Sequence, residues 1–181
     1  MPRLTSVRDL QDMRRGLTSR GDPIESGTPW VAVCAGTGCL ALGARKVIDA
    51  FKEELKKRGM AEAVQLKETG CPGFCEKGPI VVVYTEGVHY VKVSPGDVPD
   101  IIEETIIKRR LMDRLLYVDP VTGARGVHED EIPFYKHQTR HLINDNIKID
   151  PKNISDYIAL GGYRALARAL SAMTPRAVIE E

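Results

Sequence analysis

The chain has 181 residues, 43% hydrophobic and 28% charged, which fits a globular protein of about one to one and a half domains. Lys and Arg number 26 against 25 Asp and Glu, so a net charge of +1 supplies no general attraction to nucleic acid or anionic membrane. The most apolar run, Pro79 to Tyr84, is far shorter than the ~20 residues that cross a bilayer. The N-terminus lacks the apolar segment of a secretion signal, and Asp9 and Asp12 argue against a transit peptide; the chain reads as cytoplasmic, where cysteines stay reduced.

Leu4, Val7, Leu10, Met13 and Leu17 recur at helical steps and predict a short amphipathic helix. Thr18 to Pro29 gathers Gly, Pro, Ser and Asp and reads as a linker, so residues 1–29 are an N-terminal helix and linker. Trp30 to Val33 predicts a buried strand that runs into Cys34. After Cys39, Leu42, Val47, Ile48, Phe51 and Leu55 share one helical face, with Lys52, Glu53, Lys56 and Lys57 opposite and Gly59 ending the run. A second strand starts near Val64 and again runs into cysteine, at Cys71. Two β-branched runs around Glu86 and Gly87 predict a hairpin, and Asp97 is expected to cap a helix ending at Lys108, Arg109 and Arg110.

Strand, helix, strand, hairpin and helix in this order predict a small α/β sandwich of the thioredoxin-like kind. The crossover helix makes the first two strands parallel neighbours, so both cysteine loops emerge at one edge of the sheet. That arrangement brings four thiols together. From Asp119 the polar, turn-rich sequence reads as an extended arm to about Asn144, followed by two short helices broken at Gly161 and Gly162. Thr174 and Pro175 are helix-starting residues, yet only Arg176 to Glu181 follow. An isolated helix needs about 12–15 residues, so the polypeptide is expected to continue past Glu181.

Neither cysteine pair, Cys34 with Cys39 or Cys71 with Cys75, has the C-x-x-C spacing of a disulfide-exchange dithiol. Structural zinc would be satisfied by four thiolates. An iron–sulfur cluster needs the same thiolates in a wider cradle, with backbone N–H groups turned toward sulfur. Gly36, Gly38, Gly70, Gly73 and Gly78 remove Cβ atoms where the backbone would approach such a cluster, or simply mark two turns. Thr37 offers a further donor, Pro72 shapes the second loop, and Leu40 and Phe74 are candidates to shield the site from water.

C-x₄-C (Cys34, Cys39) followed by C-x₃-C (Cys71, Cys75) on this frame resembles the thioredoxin-like [2Fe–2S] ferredoxins. The resemblance implies that Cys34 and Cys39 bind one iron and Cys71 and Cys75 the other. The stretch from Ile132 to Leu170 resembles the opening of the NADH- and FMN-binding 51 kDa subunit of respiratory complex I and its relatives in soluble hydrogenases and formate dehydrogenases. The glycine-rich FMN and NADH segment of that family is absent, so flavin and NAD(P)H are assigned to the remainder of the polypeptide or to partner subunits, and no catalytic FMN/NADH site lies within this chain.

The expected fold is α/β, a thioredoxin-like [2Fe–2S] ferredoxin domain at residues 30–112 followed by an extended connector arm at 113–145 and short helices at 146–181 that begin an incomplete flavoprotein domain. The expected function is one-electron transfer within a multi-subunit NAD(P)H-linked flavin and iron–sulfur oxidoreductase. The alternative is a structural zinc or cluster-less assembly adaptor with the same fold, distinguished by metal identity. The expected partners are the other subunits of the complex, with no nucleic acid and no transmembrane segment.

His137 and His141 have helical i, i+4 spacing but lack the H-E-x-x-H glutamate of zinc hydrolases. His89 and His128 read as packed or solvated histidines, and the basic runs at Lys56 and Lys108 as solvated helix ends or a partner surface. Asp119, Asp130 and Glu131 show no paired-carboxylate context, and no P-loop or dinucleotide fingerprint is present.

Overall fold

The computed structural model describes residues 4–18 and 29–181, so the expected linker, apart from its two end positions, lies outside the described residues. These form two compact units, one of residues 4–18 with 152–181 and one of residues 29–151. The first unit opens with α1 (Val7–Thr18), whose N-terminus is closed by the Asp9 carboxylate accepting from the Thr5 and Ser6 N–H groups at 2.8 and 2.9 Å. In return the Asp9 N–H donates to Ser6 Oγ at 3.1 Å, satisfying donors that a helix start leaves open.

The second unit is built on β1 (Trp30–Cys34), which leads through α2 (Thr37–Ala41) and α3 (Ala44–Lys57) to β2 (Gln65–Thr69). β1 and β2 pair in parallel, with Cys34 opposite Thr69, as a right-handed crossover helix requires. The hairpin of β3 (Val81–Val83) and β4 (Val88–Tyr90) adds antiparallel strands, giving the order β2-β1-β3-β4. The helix expected after Cys39 starts earlier and is broken. Gly43, at φ 98°, ends α2 and permits a fresh start, so Cys39 is itself helical and Leu42 is exposed.

Strand alternation sends side chains to two faces. Val31, Val33, Val81, Val83, Val88 and Tyr90 meet Val47, Ile48, Phe51 and Leu55 of α3. Each such buried side chain contributes about 1.5–3 kcal/mol. Ile101, Ile102 and Ile106 complete this face from a helix that begins with a 3₁₀ turn (Pro95–Asp97), passes through α4 (Val98–Asp100) and continues as a π-helical segment, Ile101–Ile107. Ser94 caps the 3₁₀ turn, and Asp97, the residue expected to cap, stands at the start of α4. The Asp97 carboxylate sits three residues in and accepts from the Ser94 N–H and hydroxyl at 2.7 and 2.6 Å, while Arg114 pairs with it from outside. The buried Tyr90 hydroxyl bonds Thr105 Oγ1 at 2.7 Å and accepts the Met112 N–H at 3.1 Å, locking the π-helical segment to β4.

Trp30, Ala32, Cys34, Ile80, Val82 and Val91 line the opposite face. It is covered by the segment read as an arm, which contains β5 (Tyr117–Val118), β6 (Arg125–Gly126) and α5 (Pro133–Lys136). Tyr117, Ile132, Tyr135 and Ile147 are buried there. Backbone bonds from the His89 N–H to the Val127 carbonyl (2.8 Å) and from the Val91 N–H to the Leu115 carbonyl (2.9 Å) fasten this layer to β4. The arm is a packed layer of the same unit.

The first unit continues with α6 (Ile154–Ala159), α7 (Arg164–Ala172) and α8 (Pro175–Glu180), and α1 packs against α6. Asn153 caps α6 by accepting the Ser155 N–H at 3.0 Å, and Thr174 caps α8 by accepting the Ala177 N–H at 3.2 Å. Among the described residues, no helix is long and apolar enough to cross a membrane.

Candidate metal centre

Cys34 closes β1, Cys39 lies in α2, and Cys71 and Cys75 flank a loop that follows β2. The parallel pairing of β1 with β2 therefore delivers both loops to one edge of the sheet. Cys34 and Cys39 are fully buried, whereas Cys71 and Cys75 are partly exposed. The Cys71 and Cys75 sulfurs are 3.5 Å apart, and Cys34 and Cys39 influence each other's ionisation. All four thiols are free. They are arranged two and two. Among the described residues, no set of three or more His, Cys, Asp or Glu side chains converges as one ion would need.

Three glycines make the approach of the loops physically possible. A Cβ on Gly36 would lie 2.7 Å from Cys71 Cβ, one on Gly38 2.9 Å from Cys75 Sγ, and one on Gly78 2.8 Å from Cys39 Sγ. The backbone of the first loop thus touches the cysteines of the second. The Gly73 N–H donates to Cys71 Sγ at 3.3 Å. Such a donor stabilises negative charge on sulfur, the property that a cluster-ligating thiolate needs.

The hydrogen bond to Cys39, reinforced by burial, holds the Cys34 proton on and raises its pKa. The same bond, together with the Ile80 N–H, draws the Cys39 thiol down to about 7 against the cost of burial. Cys75 is raised by its hydrogen bond with Cys71, then by burial and by the charges of Cys71 and Cys39. Thiols held protonated in this way, as at Cys34 and Cys75, lose their protons when a cation compensates the charge.

Of the expected shielding residues, Phe74 is buried, stacked on Phe134 at 4.1 Å and edge-on to Tyr135, while Leu40 is partly buried. Thr37 starts α2 with an exposed side chain and supplies no hydrogen bond to sulfur among the described residues. Several contributors come from a segment that carries no cysteine. Asn146 Nδ2 donates to the Cys71 carbonyl at 3.1 Å, and its own carbonyl accepts the Gly70 N–H at 3.0 Å. Ile143 Cδ1 and Phe134 approach Gly73, which stands at φ 100°. The only sequence signal for these contacts is the aromatic pair Phe134 and Tyr135 in an otherwise polar stretch.

The remaining candidates fall away from the site. α5 ends at Lys136, so His137 and His141 share no helix face. His128 bonds the Gly87 carbonyl through Nδ1 at 3.1 Å. Lys57, Arg58, Lys108, Arg109 and Arg110 all pair with carboxylates. His89 is buried with neither ring nitrogen bonded, edge-on to Tyr135, and burial followed by the Arg140 charge lowers its pKa to about 4.

Residues 24–106 match the thioredoxin-like [2Fe-2S] ferredoxin family. A 2Fe-2S ferredoxin of Clostridium pasteurianum is 40% identical over 77 residues, covering 42% of this chain and 76% of that protein. The NADP-reducing hydrogenase subunit HndA of Solidesulfovibrio fructosivorans is 41% identical over 81 residues, 41% of this chain and 44% of the subunit. The crystal structure of the thioredoxin-like [2Fe-2S] ferredoxin from Aquifex aeolicus aligns with a TM-score of 0.46 at 31% identity, over 50% of this chain and 97% of that one. The chain belongs to the thioredoxin-like [2Fe–2S] ferredoxins, whose cofactor is a [2Fe–2S] cluster and whose function is electron transfer.

Proposed function

We propose that Cys34 and Cys39 hold one iron and Cys71 and Cys75 the other, and that this chain is the ferredoxin portion of a multi-subunit NAD(P)H-linked oxidoreductase of the cytoplasm. The observation that carries the ligand assignment is the delivery of two thiol pairs to one sheet edge, with the Gly73 N–H donating to Cys71 Sγ. The chemistry supplied by a bound [2Fe–2S] cluster is reversible uptake of one electron. The protein's part is to fix the four sulfurs, direct N–H dipoles at them, and exclude water from the first pair by burial under Phe74 and its aromatic neighbours.

The wider assignment draws on the likeness to a hydrogenase subunit and on the resemblance of the C-terminal stretch to the opening of an FMN- and NADH-binding subunit. In that reading residues 30–112 carry the ferredoxin fold, the segment to 151 packs on it as a covering layer, and 152–181 belong to the start of a flavoprotein domain. FMN and NAD(P)H then belong to partner subunits or to further polypeptide.

Iron and zinc content per chain, measured on protein purified without oxygen, tests the centre. About two irons, with a visible and paramagnetic spectrum that Cys71→Ser abolishes or alters, is the expected result. About one zinc without iron sinks the electron-transfer assignment, and an unchanged spectrum in Cys71→Ser removes that ligand from the set.

A further inference from the structure

Beside the centre lies an open cleft of about 330 Å³ that is lined by none of the four cysteines. Its apolar floor includes Leu42, Val47, Pro79 and Val93, its rim carries Lys46 and Lys92, and none of its lining residues is a carboxylate. Both lysines are exposed, and among the described residues neither forms an ion pair. The nearest acidic influence on Lys92 is Glu76, whose carboxylate is already held by Lys77 at 2.8 Å. The other cations near this end, Arg45 and Lys52, both bond Glu68.

The wall between cleft and centre is Gly78, where an added Cβ would stand 2.8 Å from Cys39 Sγ and 3.2 Å from Leu42 Cδ1. A group seated in the cleft therefore comes within one layer of atoms of a thiol of the centre. Leu42 stands 54% exposed over the same wall, an apolar side chain left in solvent. Lys92 holds φ at 53°, a conformation costly to a residue with a Cβ, and its N–H bonds the Lys77 carbonyl at 2.9 Å.

We propose that this cleft is the docking site for a protein electron-transfer partner that presents an acidic side chain next to an apolar one. The carboxylate meets Lys46 and Lys92, the apolar group covers Leu42 and the floor, and the two chains thereby meet beside Cys39 of the centre. The proposal rests on the assignment of an electron-carrying centre to the four cysteines. Rim charges of this kind act on encounter rate and salt sensitivity, and the apolar floor acts on residence.

The test uses the cluster-loaded chain and two dye-labelled blocked peptides, one alternating Glu with Leu and one alternating Glu with Ser, read by fluorescence anisotropy. Iron content is measured on the same samples, so an absent cluster is recognised as failure of the centre and not of the cleft. The Glu/Leu peptide is expected to bind more tightly than the Glu/Ser peptide, and Lys46→Glu with Lys92→Glu is expected to weaken it on the order of tenfold at low salt. Lys46→Gln with Lys92→Gln should give an intermediate loss, and Lys136→Glu, on the exposed end of α5, none. In parallel, the reduced protein passes one electron to hexacyanoferrate(III), giving hexacyanoferrate(II); the charge-reversed variant should react more slowly and with a flatter salt dependence. Equal peptide binding by native and charge-reversed chains, or no preference for Leu over Ser, overturns the proposal.

Discussion

Gly36→Ala adds one methyl group at the point where the two cysteine loops meet. Gly36 has φ −63° and ψ 153°, a conformation open to any residue, so space and not backbone freedom is what the glycine provides. The new Cβ would fall 2.7 Å from Cys71 Cβ, where ordinary contact begins at 3.4 Å, so the loops must part by about 0.7 Å or distort. Gly38→Ala poses the same problem at 2.9 Å from Cys75 Sγ. Overpacking of this kind costs about 1–3 kcal/mol. At about 1.36 kcal/mol per decade, that is roughly a 5- to 150-fold loss in the equilibrium that holds the loops together. Iron per chain and the rate at which a chelator bleaches the visible absorption report the loss, and urea unfolding of metal-free protein reports the cost without the cluster. Gly96→Ala is the control, since its nearest atom would be Ser94 Oγ at 3.8 Å. A Gly36→Ala protein with the iron content, bleaching rate and urea midpoint of the control refutes the claim that close loop approach builds the centre.

The remaining predictions concern the second face of the sheet. His89 is lowered to about 4 by burial and then by Arg140, so the unfolded chain binds a proton that the folded chain refuses between about pH 6.5 and 4. Stability from this residue is full above pH 6.5 and falls by up to about 3 kcal/mol as pH drops through that window; urea midpoints with the same pH slope in His89→Gln would remove His89 as the cause. Asn146→Ala deletes the side-chain bond to the Cys71 carbonyl but leaves the backbone bond to Gly70, and should cost about 0.5–1.5 kcal/mol. It is expected to speed cluster loss to a chelator and alter the paramagnetic spectrum, and an unchanged rate and spectrum would show that Asn146 only fills space.

The first face of the sheet and the convergence of the cysteines were legible because they depend on short-range pattern. Val47, Ile48, Phe51 and Leu55 repeat at helical steps, and a crossover helix leaves little choice about the pairing of β1 with β2. The break at Gly43 was not legible, since an exposed Leu42 continues the apolar stripe by spacing alone. Asp97 was legible as the residue that starts α4, but the 3₁₀ turn capped by Ser94 ahead of it was not. The layer formed by residues 113–148 was missed for a deeper reason. Its apolar residues Tyr117, Ile132, Tyr135 and Ile147 follow no period, because they are delivered by turns and single helical turns, and each packs on a strand distant in sequence.

That layer alters how the centre is understood. The first cysteine pair lies on the face that it covers, with Cys34 in the same buried cluster as Ile132, Tyr135 and Ile147. The second pair lies in a loop whose carbonyl and amide groups are held by Asn146 and whose Gly73 is approached by Ile143 and Phe134. Burial and N–H···S bonds are the means by which a protein adjusts an iron–sulfur potential, and part of both depends here on residues remote from any cysteine. The centre is therefore enclosed on its inner side and supported from behind, while the Gly78 wall, with Leu42, Lys46 and Lys92 around it, remains open to a partner.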